Sequence, residues 1–312
     1  VAPFIWEAIE GAQSGGDVRI LALGNPTVAS GRFYDAFTRH ADQWKTFTIS
    51  ALDTPNMRGM SLDSLCAMDA EQLRTGAFPE DITYLPSRAW LVDKVNQWGI
   101  RSPWFQARAL GQFPTQGDDS LYPLAWLEQA RAEGEPVGKD ELLTVGIDVA
   151  GPGEDETTVC IRAGNRIVSM EGFSIPDPRG EVLAMLAPLK ARIETCNIDT
   201  IGIGYYFAQH IADAGYNVNF VNVGEAASDT EKFANLKAEA YWGLRERLRD
   251  GDLHGLTDET AISQLSSVLY KHNARAQVVV ESKDDARKRG VKSPDRAESV
   301  ILAYIESGVW SA

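Results

Sequence analysis

The sequence predicts an α/β protein whose largest domain is a mixed β-sheet flanked by helices. The carboxyl-terminal half begins with three strand-like runs, at residues 142–149, 157–162 and 166–174. Gly164-Asn165 forms a tight turn between the last two runs. Segments with helical spacing then alternate with short β-rich runs. A meander of three strands followed by alternating helices and strands is typical of a mixed sheet with helices packed on it.

The later segments of this half follow one another in a regular order. Their spacing predicts helices over residues 180–196, 207–214, 230–251, 258–270 and 293–307. Composition predicts strands over residues 199–203, 218–223 and 277–281. These segments supply both the remaining strands of the sheet and the helices that cover it.

The part before residue 140 has fewer regular patterns. Its helix-like and strand-like segments are residues 3–11, 18–23, 45–50, 90–99 and 124–132. The strand at 18–23 runs into Gly24-Asn25-Pro26-Thr27, which places small polar groups at the carboxyl end of a sheet, where α/β proteins bind ligands. An ordinary turn between strand and helix fits the spacing equally well. A segment rich in Pro, Gly and charge at 132–140 marks a domain boundary.

Composition places the chain among globular proteins. With 312 residues, of which 44% are hydrophobic, it can bury a sizeable core, and its length suggests two domains. No apolar run approaches the roughly 20 residues of a membrane span, and the first residues lack the pattern of a signal peptide. We therefore expect a cytoplasmic protein without membrane contact. Because the chain begins without Met, we expect it to be a fragment or a trimmed chain.

Cysteine spacing and net charge exclude several classes of protein. Cys66, Cys160 and Cys196 are too widely spaced for a disulfide framework or a zinc pattern, which fits a reducing compartment. The simplest interpretation of all three is that they are small hydrophobic residues of the core. The net charge of −14 argues against a protein that coats nucleic acid through bulk electrostatics. It leaves room for a local basic groove, and a cluster of metal-binding carboxylates would contribute to such an acidic surplus.

Asp148 is the first candidate site residue. It lies inside an apolar run, between Ile147 and Val149, where an isolated carboxylate would cost several kcal/mol or take up a proton. A divalent cation would remove this difficulty. An aspartate that caps the turn at the end of a strand is the alternative.

A second acid, Asp199, lies at the edge of another β-rich run. Gly202 and Gly204 follow it and leave room for a substrate or a neighbouring backbone. The dinucleotide-binding fingerprint is excluded, because no third Gly follows at the required spacing and Tyr205 and Tyr206 would crowd a pyrophosphate.

The third acid, Asp295, lies at the start of the last helix. Ser293 is predicted to be the N-cap and Pro294 the first helical residue, so a helix-start acid is the simpler interpretation of Asp295 alone. Glu298 follows three residues later on the same face of the helix. The apolar stripe of this helix would press it on the sheet, with both acids at the rim.

Acids on a first strand, a later strand and a last helix are the constellation of a ribonuclease H-like nuclease, and the chain resembles the large subunit of tailed-phage terminases. In the first part the resemblance rests on residues 21–37, 53–56 and 109–114. In the second part it rests on residues 145–159, 198–204, 231–248 and 281–304. The similarity covers essentially the whole chain.

The resemblance implies a division of the chain by function. Residues 1–60 would be the end of an ATPase domain, 61–140 a linker or subdomain, and 141–312 a ribonuclease H-like nuclease domain that cuts concatemeric double-stranded DNA. Asn25 and Thr27 would belong to the turn that couples ATP hydrolysis to motion. No phosphate-binding G-x-x-x-x-G-K-S/T sequence occurs, so we expect no ATPase activity from this chain alone. The implied partners are double-stranded DNA and, in the family, a portal protein and a small terminase subunit.

The chemistry of such an enzyme explains the acids. In-line cleavage of a phosphodiester uses one metal ion to activate water and a second, roughly 4 Å away, to stabilise the leaving oxygen. Carboxylate oxygens suit Mg²⁺ or Mn²⁺. Carried over by motif, Asp148 would bridge the two ions, with Asp199 on one and Asp295 on the other. Further candidate ligands are the nearby acids Glu154, Asp155, Glu156 and Glu298. A solvated hairpin tip is the simpler interpretation for at least two of the three hairpin acids.

The sequence departs from the family pattern at two places. Tyr205, Tyr206 and Gln209 stand where small residues and an Asp usually follow the second glycine pair, and Glu298 stands where Asp is more usual. These departures affect metal preference and the shape of the DNA channel.

One strongly basic stretch leads into the third acid. Its cations are Lys283, Arg287, Lys288, Arg289 and Lys292. We expect this stretch to hold DNA phosphates beside the metal ions, in preference to a merely solvated charge run. Asp284 and Asp285 dilute its charge.

Two other classes of protein compete with the nuclease. Asp148, Gly151 and Thr157 loosely resemble the first phosphate loop of an actin-like or sugar-kinase-like ATPase, but no second Asp-x-Gly loop follows. A non-catalytic scaffold or DNA-binding module on the same fold is the other alternative. Such a scaffold would neither bind Mn²⁺ at Asp148 nor nick DNA.

Overall fold

The computed structural model describes residues 3–12, 15, 17–74, 78, 81–151, 155–291 and 293–305. The chain divides into two compact units, the first comprising Val1–Val92 and Gln106–Thr115 and the second Asp93–Phe105 and Gln116–Ala312. The division by function at residues 60 and 140 stays a prediction.

The first unit is built from short helices. They are α1 (Pro3–Ala12), α2 (Gly31–Phe37), α3 (Leu62–Cys66) and α4 (Ala70–Leu73), with single 3₁₀ turns at Ala51–Asp53 and Pro55–Met57. The helices α5 (Arg88–Trp98) and α6 (Pro103–Arg108) each contain a boundary between the units.

The strands predicted at 18–23 and 45–50 are not formed, and that prediction was wrong. Both segments are without regular hydrogen bonding, and Leu21 and Leu23 are 82% and 84% exposed. An apolar run becomes a strand only where another strand pairs with its backbone groups. Within the described part of the first unit, neither segment has such a partner.

The second unit is organised around a five-stranded mixed sheet. Its strands are β1 (Leu143–Asp148), β2 (Thr157–Ala163), β3 (Arg166–Phe173), β4 (Ile193–Asp199) and β5 (Val218–Val221), in the order β3-β2-β1-β4-β5. The first three strands form an antiparallel meander, and β1–β4 and β4–β5 are parallel pairs. The mixed α/β fold is therefore confirmed, and the three-strand meander was predicted almost to the residue.

After residue 115 the helices are α7 (Leu124–Gln129), α8 (Arg179–Leu186), α9 (Gly204–Asp213), α10 (Leu236–Asp250), α11 (Glu259–Ser266), α12 (Lys283–Lys288) and α13 (Asp295–Ala303). Of these, α8 and α9 pack on one face of the sheet and α13 packs on the other. A small hairpin, β6 (Tyr270–His272) with β7 (Val278–Val280), precedes α12. Asn235 caps α10 by accepting a hydrogen bond from the Ala238 N–H at 2.9 Å, and Gly251, in the left-handed conformation, ends it.

The position of β4 differs from its prediction. The predicted helix 180–196 ends as α8 at Leu186, a 3₁₀ segment follows to Arg192, and β4 occupies 193–199 instead of 199–203. Pro188 lies in the 3₁₀ segment and has no N–H for an α-helical hydrogen bond, which explains the early end of α8. As a result Asp199 ends a strand where the sequence pattern had it begin one.

Alternation along the strands separates two faces of the sheet. Val145, Ile147, Val159 and Ile198 belong to a fully buried cluster with α8 and α9. The residues between them point to the opposite face, on which α13 packs against β1, β2 and β4. At Gly146 this packing is so close that an added Cβ would overlap backbone atoms of α13.

In the described part of the chain, none of the helices is long and apolar enough to cross a membrane.

Candidate functional site

Asp148 and Asp199 end two adjacent parallel strands. Ile147 pairs with Ile198 in the β1–β4 register, so the two aspartates follow side by side at the carboxyl edge of the sheet. Because Ile147 and Ile198 point to the α8/α9 core, the alternation of a strand turns both aspartates toward the face covered by α13. Asp148 is 7% exposed, so its carboxylate is almost entirely removed from water.

Asp295 comes to the same region from the first turn of α13. The Thr158 hydroxyl on β2 donates to its backbone carbonyl at 2.7 Å, the Glu156 N–H donates to its Oδ2 at 3.4 Å, and the Ser293 hydroxyl donates to its Oδ1. The start of β2 thus fixes both the backbone and the carboxylate of Asp295. Ser293 contacts the side chain of this acid, whereas the sequence had assigned it to the helix cap.

Glu298, one helical turn further on, is held by three groups. Lys283 Nζ lies 2.5 Å from its Oε2, Lys237 Nζ lies 3.7 Å from its Oε1, and the Tyr241 hydroxyl donates to Oε1 at 3.0 Å. A small cavity at this point is lined by Asp148, Asp199, Lys237, Tyr241 and Glu298. The structure therefore gathers Asp148, Asp199 and Glu298 around one cavity.

The electrostatics of this cluster show that its charges are only partly compensated. Burial raises the pKa of Asp148 well above its ordinary value, and repulsion by Glu298, Asp295 and Asp199 raises it further, while Lys283 lowers it. The pKa values of Asp199 and Asp295 are raised too, in each case mainly by burial. Burial lowers the pKa of Lys237. Four carboxylates facing two lysines leave an excess of negative charge in a poorly hydrated place.

A divalent cation fits this donor set by its chemistry. Carboxylate oxygens are the ligands that Mg²⁺ and Mn²⁺ prefer, and an added cation would offset the repulsion that raises the pKa of Asp148. Within the described ranges, no three His, Cys, Asp or Glu side chains stand close enough together to hold a metal ion as they are placed. In this arrangement Lys283 and Ser293 engage oxygens of Glu298 and Asp295.

The hairpin acids behave differently from one another. Glu154 lies outside the described residues. Asp155 is exposed and close enough to raise the pKa of Asp295 by repulsion. Both carboxylate oxygens of Glu156 accept hydrogen bonds from Arg296, so this side chain has a structural partner already. Asp155 and Asp295 line a polar cleft of about 760 Å³ that also contains Glu156 and Arg296.

The basic stretch is largely paired with acids in its own neighbourhood. On α12, Arg287 lies 3.6 Å from Asp284 and Lys288 lies 2.8 Å from Asp285. Just after that helix, Arg289 lies 2.6 Å from Glu281. Lys283, at the start of α12, reaches into the acid cluster, and Lys292 lies outside the described residues. The four predicted DNA-binding cations that the structure describes therefore do not form a single uninterrupted positive surface.

Asn25 and Thr27 belong to the first unit. The Thr27 N–H donates to the Asn25 carbonyl at 2.9 Å, in a segment without helix or strand. Nothing in this turn tests their predicted role in coupling to ATP hydrolysis.

Two cations of the site were missed by the sequence interpretation. Lys237 lies in the first turn of α10 and Arg296 in the first turn of α13. A cation is unfavourable at the positive end of a helix dipole unless an acid is nearby. A cation in the first turn of a helix was therefore the signal in the sequence that an acid lies nearby. The structure shows these acids, which are Glu298 for Lys237, and Glu156 and Asp258 for Arg296.

Tyr205 and Tyr206 lie on the first turn of α9, the helix that follows β4 in the chain. Both are more than half exposed, and Tyr205 packs against Phe220 of the edge strand β5 with ring centroids 5.7 Å apart. Phe220 pairs with Ile198 in the β4–β5 register, so it shares the α8/α9 face of the sheet, opposite the face toward which Asp148 and Asp199 turn.

Comparison of the sequence with known proteins identifies a phage protein as a relative. No protein-family model matches the chain. The "Probable terminase, large subunit" of Enterobacteria phage P7 is 23% identical over 322 residues, covering 97% of this chain and 61% of that protein. This chain thus spans about three fifths of the length of that curated relative.

Solved structures agree at the level of the fold. The nuclease domain of the large terminase subunit of bacterial virus Sf6 matches with a TM-score of 0.54 and 15% identity, covering 60% of this chain and all of that domain. A variant of that domain with manganese and β-thujaplicinol matches with a TM-score of 0.53 and 14% identity over the same shares. The chain is thus similar to a phage terminase large subunit, and its mixed sheet has the ribonuclease H-like fold of the nuclease domain of such a subunit.

Proposed function

We propose that this protein is a metal-dependent endonuclease that cuts double-stranded DNA as the nuclease part of a phage DNA-packaging terminase. The observation that supports this most strongly is the meeting of Asp148 and Asp199, at the ends of parallel strands, with Glu298 around one buried cavity. Asp295 adds a fourth carboxylate whose repulsion reaches Asp148. The ribonuclease H-like fold and the terminase relative support the same reaction class.

The proposed site uses two divalent cations, Mg²⁺ or Mn²⁺. When bound, they would supply activation of the attacking water and stabilisation of the leaving oxygen. The strand of Asp148 lies between β4, which ends in Asp199, and β2, whose Thr158 hydroxyl donates to the Asp295 carbonyl, so we assign Asp148, Asp199 and Asp295 as the residues that would hold the two ions. Glu298 is assigned as an additional ligand, kept in place by the Tyr241 hydroxyl.

The chain's own cations would bind and orient the phosphate backbone. Lys283 is 40% exposed and in contact with the acid cluster, so it can reach a phosphate that enters the site. The pairs Arg287–Asp284 and Lys288–Asp285 are exposed, and such surface pairs contribute little to stability. DNA phosphates can therefore replace those carboxylates as partners. Non-specific contacts of this kind hold the backbone and carry no base readout.

The wider role of the protein rests on the resemblance to terminases. It includes cleavage of concatemeric DNA in the host cytoplasm, an ATPase segment at residues 1–60 with Asn25 and Thr27 in its coupling turn, and assembly with a portal protein and a small terminase subunit. These remain proposals.

Plasmid nicking tests the proposed reaction. We expect the purified chain to nick supercoiled plasmid in Mn²⁺ and to stop in EDTA. Asp148→Asn should lose more than the roughly 10–100-fold typical of changes to a residue that only supports a metal ligand. Asp213→Asn, an exposed aspartate that accepts a hydrogen bond from Gln209 in the last turn of α9, is the matched control and should nick at the parental rate.

Two outcomes would contradict the proposal. If Asp148→Asn nicks as fast as the parent, the site assignment fails. If the parent neither binds Mn²⁺ nor nicks DNA, the non-catalytic scaffold on the same fold becomes the better account.

A further inference from the structure

Arg296 forms a partly buried ion network next to Asp295. Its Nε donates to Glu156 Oε1 at 2.6 Å and its Nη2 donates to Glu156 Oε2 at 3.0 Å, a two-pronged contact with one carboxylate. Its Nη1 donates to Asp258 Oδ2 at 2.5 Å. All three side chains are only about one fifth exposed. Such two-pronged arginine contacts fix direction as well as distance.

The network joins three separate segments of the second unit. Glu156 immediately precedes β2, Asp258 caps α11 by accepting from the Ala261 N–H at 2.7 Å, and Arg296 lies in the first turn of α13. The guanidinium therefore ties the end of the β1–β2 loop and the start of α11 to the helix that carries Asp295.

The segment that Arg296 holds is also the segment that orients Asp295. The Glu156 N–H donates to Asp295 Oδ2, while the Thr158 hydroxyl, two residues along, donates to the Asp295 carbonyl. Because Arg296 holds the Glu156 side chain, it restrains the end of the β1–β2 loop, whose N–H at Glu156 binds the carboxylate of Asp295. Arg296 has no contact of its own with that carboxylate in the structure, so its influence passes through Glu156.

Strand β3 leaves room for the ion pair. Gly172 pairs with Thr158 in the β2–β3 register. A Cβ added at Gly172 would overlap the Glu156 carboxylate and lie 2.6 Å from Arg296 Nη2. A methyl group there would push the two side chains apart, and since both are flexible at their ends the strand itself could stay in place.

We propose that Arg296 is a positioning residue for Asp295: by holding Glu156 it sets the direction of the Asp295 carboxylate, and through it the affinity of the site for a divalent cation. Glu156 is then a structural partner of Arg296 and not a metal ligand. This inference rests on the proposed function, because it concerns the same site.

Charge alone predicts the opposite sign, which makes the inference testable. Arg296 is a cation next to Asp295 in the chain, so its removal would strengthen Mn²⁺ binding if only electrostatics mattered. If Arg296 positions Asp295, its removal should weaken Mn²⁺ binding. Calorimetric titration of the metal-free chain with Mn²⁺ measures this without any DNA cleavage.

We expect Arg296→Gln to bind Mn²⁺ roughly 10–100-fold more weakly than the parent, the range found for residues that support metal ligands. Arg296→Lys should also bind more weakly, since lysine keeps the charge and loses the planar fork. Gly172→Ala should weaken binding with no change of charge at all. Arg247→Gln is the matched control: Arg247 pairs with Asp252 about 15 Å along α10 from Lys237, and its loss should leave Mn²⁺ affinity unchanged.

A double variant tests whether Arg296 acts through Glu156. If it does, Arg296→Gln combined with Glu156→Gln should bind Mn²⁺ no more weakly than the weaker of the two single variants. Additive losses would mean that the two residues act separately and would overturn the proposed route.

The remaining outcomes separate this inference from the proposed function. Unchanged or tighter Mn²⁺ binding by Arg296→Gln and Gly172→Ala overturns the positioning role, provided that Asp295→Asn binds more weakly than the parent. If Asp295→Asn binds Mn²⁺ like the parent, the proposed metal site itself is wrong. If Arg296→Gln fails to fold, as judged by circular dichroism, Mn²⁺ binding by Arg296→Lys and Gly172→Ala tests the positioning role instead.

Discussion

Lys283 Nζ lies 2.5 Å from Glu298 Oε2, which places the ammonium group of α12 inside the acid cluster on the sheet. Burial opposes the charge of Lys283, but the carboxylates of Glu298 and Asp148 outweigh it, so the pKa of this lysine is raised overall. The same cation lowers the pKa of Asp148 and of Asp295. Lys283 is therefore the counter-ion that makes the metal-free cluster tolerable.

Replacing Lys283 should have opposite effects on metal binding and on DNA cleavage. We expect Lys283→Gln to bind Mn²⁺ at least about tenfold more tightly, because a unit charge a few ångströms away in a partly solvated site is worth on the order of 1–4 kcal/mol. Its metal-free form should melt at a lower temperature, and its cleavage rate should fall because a phosphate loses its cation. Lys288→Gln, on the exposed part of the same helix, should leave Mn²⁺ affinity unchanged. Weaker Mn²⁺ binding by Lys283→Gln would contradict the counter-ion role.

The raised pKa of Asp148 predicts how the stability of the metal-free protein depends on pH. In the folded protein this carboxyl keeps its proton to a higher pH than in the unfolded chain, where its pKa is near 4. The folded state therefore binds more protons, so the stability that protonated Asp148 contributes is complete below about pH 4 and is lost as pH rises through the folded pKa. Melting temperatures in EDTA should therefore fall as pH rises from about 4 to the pKa of Asp148 in the folded protein.

Asp148→Asn should flatten this decline, because an amide does not titrate. Asp213→Asn should retain the parental slope. Added Mn²⁺ should raise the melting temperature more at higher pH, since protons compete with the ion for the same oxygens. If Asp148→Asn keeps the full parental fall of melting temperature with pH, a group other than Asp148 causes that fall.

The sequence predicted those parts of the fold that depend on local pattern. The β1–β3 meander follows from alternating apolar runs and a Gly-Asn turn, and it lies within a residue or two of its predicted bounds. The position of β4 was wrong, because residues 193–199 satisfy helical spacing as well as strand composition. In the structure, Pro188 interrupts the helix before these residues, and they form a strand.

The parts that the sequence did not reveal depend on contacts between distant segments. Pairing of strands is one such contact, and residues 18–23 and 45–50 look like strands yet remain unpaired within the described part of the first unit. The partners of Lys237 and Arg296 are another, since Glu298 and Glu156 are 61 and 140 positions away in the chain. Only the packing of α10 and the β1–β2 loop against α13 brings them together.

Gly146 determines how closely α13 approaches the sheet. A Cβ at this position would overlap the Ser299 carbonyl oxygen and the Ala303 nitrogen and lie 2.9 Å from the Ala303 Cα. Because these are backbone atoms that cannot rotate away, Gly146→Ala should push α13 off β1. We expect a loss of roughly 1–3 kcal/mol in the free energy of unfolding. Mn²⁺ binding should weaken as well, because Asp295 and Glu298 move with the helix.

Gly243 on α10 provides the control for this substitution. An added Cβ there meets nothing within 4 Å, so Gly243→Ala should stabilise the protein by up to about 1 kcal/mol through helix propensity. Urea unfolding and Mn²⁺ titration of the two variants measure both effects. Equal stabilities for Gly146→Ala and the parent would show that the helix has room to adjust.

The first unit depends on a buried ion pair that the site does not share. Arg88 Nη2 lies 2.6 Å from Asp81 Oδ2, and the two side chains are 1% and 3% exposed. Arg88 also donates to the carbonyls of Asn56, at 2.6 Å, and Gln72, at 3.1 Å. One guanidinium thus connects three segments of this unit.

Arg88→Met should destabilise the first unit by roughly 3–5 kcal/mol, because it leaves the Asp81 carboxylate buried without its cation. Amide hydrogen exchange over residues 51–92 should accelerate by a matching factor. Arg19→Met removes the exposed pair with Asp17 in the same unit, so we expect it to cost less than about 1 kcal/mol and to leave that exchange unchanged. If the two variants cost the same, the Arg88 network contributes no more than a surface pair, and the apolar contacts of α5 must hold this segment instead.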